Sequence, residues 1–330
     1  MKAITYTAFG TARDVLHLQD LPTPEPAAGE VRVRLALSGV NPSDVKSRAG
    51  SRAGVLTPAF PTIIPHSDGA GEIEAVGAGV DKSRIGERVW IWNGQWQRPF
   101  GTAASHIALP ADQAVALPGA VSFETGASLG IPALTACHAV FGGGDVAGQT
   151  VLVQGGGGTV GLLAVQLAKW GGARVIATSS ACDTDRVSQA GADVVLDYRA
   201  ADLVAAVLAA NNGTPVDTII EVEFGLNINT DAEMIAPNGR IAAFGSAKEM
   251  TPNMAFGPLL FKAADIDIIL VYLLTPAQRH RAITLLNQAL NDAALDCPVA
   301  QVFALSETAA AHEAVEAGQR DGAILVDCQR

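Results

Sequence analysis

The most regular pattern of apolar and polar positions lies at residues 150–178. A run of β-branched and apolar residues at 151–153 is typical of a buried parallel strand. Glycines occupy 155–158, apolar residues recur at helical spacing over 160–168, and a second β-branched run follows at 174–178. The pattern predicts a strand, a glycine-rich turn, a helix and a second strand, which together have the size of a βαβ unit.

Strand and helix patterns alternate through the middle of the chain. Strands are predicted at 150–154, 174–178, 193–196, 217–221, 239–244 and 266–273. Helices are predicted between them at 159–170, 184–190, 201–211, 228–236 and 254–263. Six strands joined by helical crossovers predict a doubly wound parallel sheet, which is an α/β fold.

The two ends of the chain follow other patterns. The N-terminal part is mostly β, with short runs at 2–7, 31–39, 70–76, 88–92 and 102–108. Helices are predicted from Pro42, from Ser122 and over 131–141, and the last elements at 276–291, 299–304, 306–317 and 323–327. We therefore divide the chain into residues 1–122, 123–274 and 275–330.

The glycine-rich turn has the spacing of a dinucleotide-binding site. Its glycines stand in a GxxGxxG arrangement, where a turn without side chains brings backbone N–H groups at a helix N-terminus close to a pyrophosphate. A tight turn in a protein that binds nothing is the alternative. The residues predicted to surround the pyrophosphate are Gly155, Gly158, Thr159, Val160 and Gly161.

Composition narrows the class of protein. The net charge of −11 argues against a nucleic-acid partner, and no uncharged apolar run reaches 18 residues, so we expect no membrane span. The first residues have a strand pattern and lack the apolar region of a signal peptide. The four cysteines are scattered, which indicates reduced thiols and a cytoplasmic protein.

Several separated segments resemble one family. They include SGVNPSDVKSRAG at 38–50, IIPHSDGAGEIEAVGAGV at 63–80, GASLGIPALTACHAV at 126–140 and ETAAAHEAVEAGQRDGAILV at 307–326. In this order they resemble the medium-chain dehydrogenase/reductase superfamily, in its zinc-free quinone oxidoreductase (zeta-crystallin-like) branch. The resemblance implies a GroES-like β-barrel catalytic domain, to which the C-terminal segment returns, and a Rossmann domain between them.

The chain departs from the zinc-dependent relatives at the positions of their metal ligands. Those relatives place a cysteine at the position of Asn41, a histidine at that of Ser67 and a cysteine near Gly130. His66 and Asp68 remain as possible ligands, but two ligands do not close a zinc site. We therefore expect no metal.

The resemblance also assigns residues to the reaction centre. It implies that Asn41 lies near the nicotinamide ribose, although the same residue can simply cap a helix. Ser43 stands where zinc relatives carry a proton-relay hydroxyl. Thr135 is expected at the nicotinamide, with an ordinary helix-surface position as its alternative. Phe244, Gly245 and Ser246 resemble the family's segment beside the nicotinamide. Leu270, Val271 and Tyr272 are expected near the far side of the cofactor, where an apolar wall is also what a buried sheet edge needs.

The end of the second strand predicts the choice of cofactor. Thr178, Ser179 and Ser180 stand where NAD-preferring proteins carry an acidic residue that holds the ribose 2′-hydroxyl. Hydroxyl groups can bind a 2′-phosphate, which a carboxylate would repel. The resemblance adds Tyr198 and Arg320 as contacts of that phosphate. Together these residues predict NADPH.

These observations predict an NADPH-dependent, zinc-independent reductase of quinones or related conjugated carbonyl compounds, with hydride transfer in an interdomain cleft. An alkenal or enoyl-thioester reductase is the first alternative, and a non-enzymatic NADPH-binding or redox-sensing protein is an alternative of another class. The apolar edge strand predicted at 266–273 indicates a homodimer, since an unpaired edge of this kind associates readily.

Overall fold

A computed structural model describes residues 1–51, 54–318 and 320–330 of the chain. The chain forms two compact units, one of Met1–Ile131 with Cys297–Arg330 and the other of Pro132–Asp296. These boundaries lie further along the chain than the divisions at 122/123 and 274/275 expected from the sequence. Gln319, inside the last family-like segment, lies outside the described residues.

The described residues form the following strands and helices. The strands are β1 (Lys2–Thr5), β2 (His17–Asp20), β3 (Glu30–Val40), β4 (Asp68–Val76), β5 (Arg88–Ile91), β6 (His106–Pro110), β7 (Ala114–Ala116), β8 (Thr150–Val153), β9 (Arg174–Ser179), β10 (Val194–Asp197), β11 (Val216–Glu221), β12 (Ile235–Ala243), β13 (Asp265–Ile268), β14 (Val299–Ala304) and β15 (Ala323–Asp327). The helices are α1 (Ala12–Val15), α2 (Pro42–Ala49), α3 (Phe123–Gly126), α4 (Leu134–Phe141), α5 (Thr159–Trp170), α6 (Thr184–Gln189), α7 (Leu203–Ala210), α8 (Phe224–Met234), α9 (Phe256–Lys262), α10 (Pro276–Asn291) and α11 (Thr308–Ala317). Among the described residues, no helix is long and apolar enough to cross a membrane.

The second unit is built on a six-stranded parallel sheet in the order β10-β9-β8-β11-β12-β13. This is the doubly wound arrangement, with the order reversing between β8 and β11. Its strands bury apolar residues such as Leu152, Ile176 and Ile219 against helices, as a sheet covered on both faces requires. The fold class predicted from the sequence is confirmed.

Two elements at the edge of this sheet differ from the sequence prediction. The strand expected at 266–273 ends at Ile268, and a short 3₁₀ turn, Val271–Leu273, follows. α8 begins at Phe224 instead of 228, directly after Glu221 ends β11. The predicted bounds of α5 and α10 agree with the structure, because glycine marks both ends of α5 and proline marks the start of α10.

The first unit contains a seven-stranded sheet, in which β6 also pairs with β3. The last strand, β15, pairs antiparallel with β3 and parallel with β14. The strands β14 and β15 are therefore part of the sheet of the first unit. The helix α10, expected to begin that segment, instead packs against α4 of the second unit.

Candidate nucleotide and reaction site

The glycine-rich turn follows β8 in the centre of the parallel sheet. Gly155 adopts a left-handed backbone conformation, with φ of 69°, which glycine accommodates without strain. Its N–H donates to Thr178 Oγ at 3.1 Å, and the N–H of Gly156 donates to the Thr178 carbonyl at 2.7 Å. The turn is thus fixed to the end of the neighbouring strand β9.

The third glycine of the motif allows α5 to start close to this turn. A Cβ atom placed on Gly161 would lie 2.2 Å from the carbonyl oxygen of Gly155, so a larger residue would force the two segments apart. Thr159 and Val160 are half-buried in the first turn of α5, whose leading N–H groups have no partner within the helix. The cradle of glycines beside a helix N-terminus fits a pyrophosphate.

Four of the residues expected at the ribose phosphate, Thr178, Ser179, Ser180 and Tyr198, lie at the ends of β9 and β10. Thr178 and Ser179 are buried and Ser180 is half-buried. The N–H of Tyr198 donates to the Ser179 carbonyl at 3.2 Å, and its exposed ring carries the Arg199 guanidinium 4.8 Å from the ring centroid.

An acidic side chain that the sequence analysis did not place here also reaches this edge. Asp183 accepts a hydrogen bond from Ser180 Oγ at 2.5 Å and one from Arg186 at 2.6 Å. Partial burial raises the pKa of Asp183, but these hydrogen bonds and the charge of Arg186 outweigh it and lower the pKa overall. Arg186 also donates to the Gly157 carbonyl at 2.6 Å, so its positive charge balances the negative charge of Asp183 beside the turn.

The other predicted nucleotide residues of this unit follow β12 and β13, except for Thr135, which lies in α4. Phe244, Gly245 and Ser246 are half-buried after β12, whereas Leu270 is half-exposed and Val271 is buried after β13. A Cβ atom on Gly245 would lie 2.4 Å from the Val222 carbonyl oxygen, which explains a glycine at this close approach. Thr135 is buried in α4.

Arg320 belongs to the first unit. Its guanidinium Nη1 donates to the Val315 carbonyl at 3.3 Å, and burial lowers the pKa of the side chain.

In the first unit, Asn41 meets a buried carboxyl group. It occupies the N-cap position of α2, and its Nδ2 donates to Asp68 Oδ2 at 2.9 Å, which also accepts the Ile131 N–H at 3.0 Å. The backbone N–H of Asn41 donates to Asp44 at 2.8 Å. Burial raises the pKa of Asp68 well above its usual value, with a further increase from the nearby Asp44 charge. Burial also raises the pKa of Asp44, to about 7.

The positions that correspond to zinc ligands are filled by this network. A Cβ atom on Gly130 would lie 2.4 Å from Asp68 Oδ1, so the aspartate takes the space that a side chain at 130 would need. Ser67 is buried, and its N–H donates to Asp44. Ser43 is half-buried in the first turn of α2. No cluster of three potential metal-ligating side chains occurs in the described part of the chain.

Two buried histidines adjoin this region. His66 Nδ1 lies 2.8 Å from Ser38 Oγ, and its Nε2 lies 2.8 Å from the Nε2 of His312. Since one of these two Nε2 atoms must donate and the other accept, the two rings cannot both be protonated. Burial lowers the pKa of His66 well below its usual value and, together with the charge of Arg48, lowers that of His312 to about 3.

Sequence reasoning missed the buried polar groups that surround these sites. Gln154, Glu221 and Asp231 form a hydrogen-bonded cluster behind the glycine-rich turn. Two features of the sequence could have indicated this cluster. Glu221 ends the apolar run of β11, and Asn227 and Asp231 lie at i, i+4 spacing on α8, which places them on the same helix face. The pairing of His66 with His312 had no local signal, since 246 residues separate them.

The parallel sheet, its glycine-rich turn and the attached β domain define a nucleotide-dependent oxidoreductase of the medium-chain class. Family models match the chain at residues 27–119 (alcohol dehydrogenase GroES-like domain) and 159–288 (zinc-binding dehydrogenase). The quinone oxidoreductase of Rattus norvegicus is 34% identical over 249 residues, which cover 74% of this chain and 73% of the relative. That of Sus scrofa is 30% identical over 317 residues, which cover 95% and 93%.

Solved structures agree with this assignment. A mycobacterial protein determined in complex with NADPH superposes with a TM-score of 0.85 at 28% identity, and the match covers 99% of both chains. An NAD-dependent alcohol dehydrogenase gives 0.87 at 28% identity, again over 99% of both chains. The chain belongs to the quinone oxidoreductase branch of the medium-chain dehydrogenase/reductase superfamily, and it is an oxidoreductase.

The neutral histidine pair predicts a loss of stability in acid. The folded-state pKa of His312 is about 3, below its value of about 6.5 in an unfolded chain. The unfolded state therefore takes up protons first, and stability falls as the pH drops from 6.5 towards 3. For His312→Gln, we expect the stability advantage of the wild type to shrink by about 1–2 kcal/mol between pH 6.5 and pH 5.

Urea unfolding at each pH measures this difference, with His280→Gln at an exposed position as the matched control. The protonation of Asp44 changes stability with the opposite pH dependence. Because the pKa of Asp44 is raised, its contribution to stability is lost as the pH rises from 3.8 towards 7. Because Asp44 is present in the wild type and in both variants, its effect on stability cancels when they are compared at the same pH. A His312→Gln variant whose pH dependence parallels the wild type contradicts the assignment.

Proposed function

We propose that this oxidoreductase reduces quinones or related conjugated carbonyl compounds, with NADPH as the reductant and without zinc. The observation that carries the proposal is the hydrogen bond between Asn41 and Asp68 at the position where zinc relatives bind their metal. The names of the similar quinone oxidoreductases support the choice of acceptor.

The second unit would hold the cofactor through backbone groups. The glycines of the turn and the first N–H groups of α5 would bind the pyrophosphate, and Ser179, Ser180 and Tyr198 would face the 2′-phosphate. Arg320 is proposed as a further contact of that phosphate. Thr135 and Phe244–Ser246 would lie beside the nicotinamide, and Leu270 and Val271 would lie near the far side of the cofactor. When bound, NADPH supplies the hydride.

The proposal excludes zinc on the chemistry of the donor set. Asn41 presents an amide that donates to Asp68, Ser67 has no imidazole or thiolate, and Gly130 has no side chain. Structural and catalytic zinc sites require nitrogen, sulfur or carboxylate ligands in a tetrahedral arrangement. The work left to Asn41 is to position the nicotinamide, and Asp68 fixes the orientation of its amide.

The choice of a quinone as the substrate rests on where the reduced substrate takes up its protons. A reduced quinone takes its protons on oxygen, where water can supply them, whereas a reduced enal or enoyl thioester must be protonated on carbon and benefits from a placed acid. Ser43 is a weak acid for this task. One observation favours the alternative, alkenal or enoyl-thioester reduction: Asp44, with a pKa raised to about 7 by burial, holds a proton near neutral pH beside Asn41.

The first test compares acceptors in steady-state assays. We expect NADPH oxidation with simple ortho- or para-quinones, none with simple alcohols, and activity that survives a chelator in protein without stoichiometric zinc. Asn41→Ala should lower kcat/KM about tenfold to a hundredfold by misplacing the nicotinamide. Ser43→Ala should cost less.

Asn291→Ala, at an exposed position, is the control for the asparagine change. The quinone proposal is wrong if an enal or enoyl thioester is used far more efficiently and Ser43→Ala or Asp44→Asn abolishes that activity. One tightly held zinc per chain would contradict the metal-free mechanism.

The second test concerns the cofactor. Arg320→Ala should weaken NADPH binding about tenfold or more while sparing NADH, because a charge-assisted hydrogen bond to the 2′-phosphate contributes about 1.5–3 kcal/mol. Titration of nucleotide fluorescence measures both dissociation constants. Arg281→Ala, on a half-exposed side chain, is the matched control. Equal loss for both cofactors would remove Arg320 from the site, and tighter binding of NADH would overturn the choice of NADPH.

The third test concerns assembly. We propose a homodimer through the sheet edge formed by β13, where Ile268 exposes 68% of its surface. Phe261 at the end of α9 and Leu273 in the turn after β13 expose 89% and 63%. Such an apolar edge is a site for association. Analytical ultracentrifugation should give a dimer for the wild type, a monomer for Ile268→Lys and a dimer for Leu56→Lys, a control at an exposed leucine. A monomeric wild type at micromolar concentration contradicts this proposal.

A further inference from the structure

A chain of buried hydrogen bonds begins at the glycine-rich turn. The Gly155 N–H donates to Thr178 Oγ at 3.1 Å, and that hydroxyl donates to Gln154 Oε1 at 2.8 Å. The amide nitrogen of Gln154 then donates to Asp231 Oδ1 at 3.2 Å. Each donor and acceptor is used in one direction, so the orientation of the Gln154 amide is set from both sides.

A second set of hydrogen bonds starts from Glu221, at the end of β11. Its carboxylate accepts the Glu223 N–H and the Asn227 side-chain amide, the latter at 3.1 and 3.2 Å from its two oxygens. The carboxylate of Glu223 in turn accepts the N–H groups of Ala247 at 3.1 Å and Lys248 at 2.7 Å. Glu221 is thereby connected to the segment 244–249 that follows β12.

The two sets meet at a side-chain hydrogen bond between the carboxyl groups of Asp231 and Glu221. Both side chains are fully buried, and Asp231 Oδ2 receives no hydrogen bond from any N–H or O–H group of the described residues. Two carboxylates offer no hydrogen to one another, so a contact between them requires a bound proton. Glu221 already accepts two N–H groups, which favour its charged form, whereas Asp231 accepts one. The proton therefore belongs on Asp231.

The electrostatics of the pair agree with this placement. Burial raises the pKa of Asp231 well above its usual value, and the charge of Glu221 raises it further. Burial also raises the pKa of Glu221, against the effect of its hydrogen bonds. The other charged group acting on the pair within the described residues is Glu223, whose negative charge further opposes the loss of the proton.

We infer that the proton shared by Asp231 and Glu221 positions the glycine-rich turn and the segment 244–249 for the cofactor. The inference rests on the proposed binding of NADPH by this unit. Both carboxyl groups act through other residues and neither is assigned a contact with the nicotinamide or the substrate. They are positioning residues.

Loss of this proton would place two like charges in contact inside the protein. Their repulsion would separate α8 from the end of β11 and release both hydrogen-bonded segments. The binding-competent fraction then falls about tenfold per pH unit above the pKa of the pair, and the apparent Kd rises in proportion. Asp231→Asn keeps the acceptor for Gln154 and a permanent donor to Glu221, so it removes the titration and preserves the contact.

The test measures the Kd for NADPH from pH 7 to 9.5 by nucleotide fluorescence. We expect a rising Kd for the wild type, a constant Kd for Asp231→Asn that stays near the wild-type value at pH 7, and binding about tenfold or more weaker for Asp231→Leu. Glu233→Gln is the matched control, since it replaces an exposed carboxylate on the same helix. A wild-type Kd that is constant to pH 9.5, or an Asp231→Asn variant that follows the wild-type pH dependence, overturns the inference.

A measurement without cofactor separates this inference from the proposed function. Because the folded-state pKa of Asp231 is raised above its unfolded value, the contribution of its proton to stability is present at low pH and lost as the pH rises. The wild type should therefore lose stability relative to Asp231→Asn between pH 5 and pH 8, and equal slopes would overturn the proton assignment. Failure of the wild type to bind NADPH at pH 7 would overturn the proposed function and leave this stability comparison unaffected.

Discussion

The close approach of α5 to the glycine-rich turn sets the geometry of the second unit. The place of a Cβ on Gly161 lies 2.2 Å from the Gly155 carbonyl oxygen, so only hydrogen atoms fit between helix and turn. This contact holds the N-terminus of α5 close to the turn after β8, at the point where the strand order of the sheet reverses between β8 and β11. Backbone groups can then bind an anion there without any basic side chain, which suits a protein whose net charge is −11.

The sequence was sufficient for features that depend on local pattern. The alternation of strands and helices predicts the parallel sheet, and the glycine spacing predicts the turn after β8. The predicted ends of α5, which glycines bound, and of α10, which begins at a proline, agree with the structure. The edge strand was predicted too long because the apolar run 266–273 continues beyond Ile268, which is the last residue of β13 paired with β12.

The polar interior could not be predicted in the same way. Asn41 and Asp68 meet only after β3 and β4 pair, and His312 reaches His66 from the far end of the sequence. Such contacts follow from tertiary packing, which a local pattern does not encode. They matter because a buried polar group without a partner is costly, so these residues constrain one another's protonation as well as their positions.

The pairing of β15 with β3 has a consequence for the biosynthesis of the chain. The sheet of the first unit lacks its β14 and β15 strands until residues 299–327 have emerged from the ribosome, whereas the second unit is continuous from Pro132 to Asp296. Domains fold as units during synthesis, ordinarily beginning with the N-terminal one. In this chain the order is inverted: the second unit can complete its sheet while the first still waits for its last strands, and the early β segments remain incomplete throughout that interval.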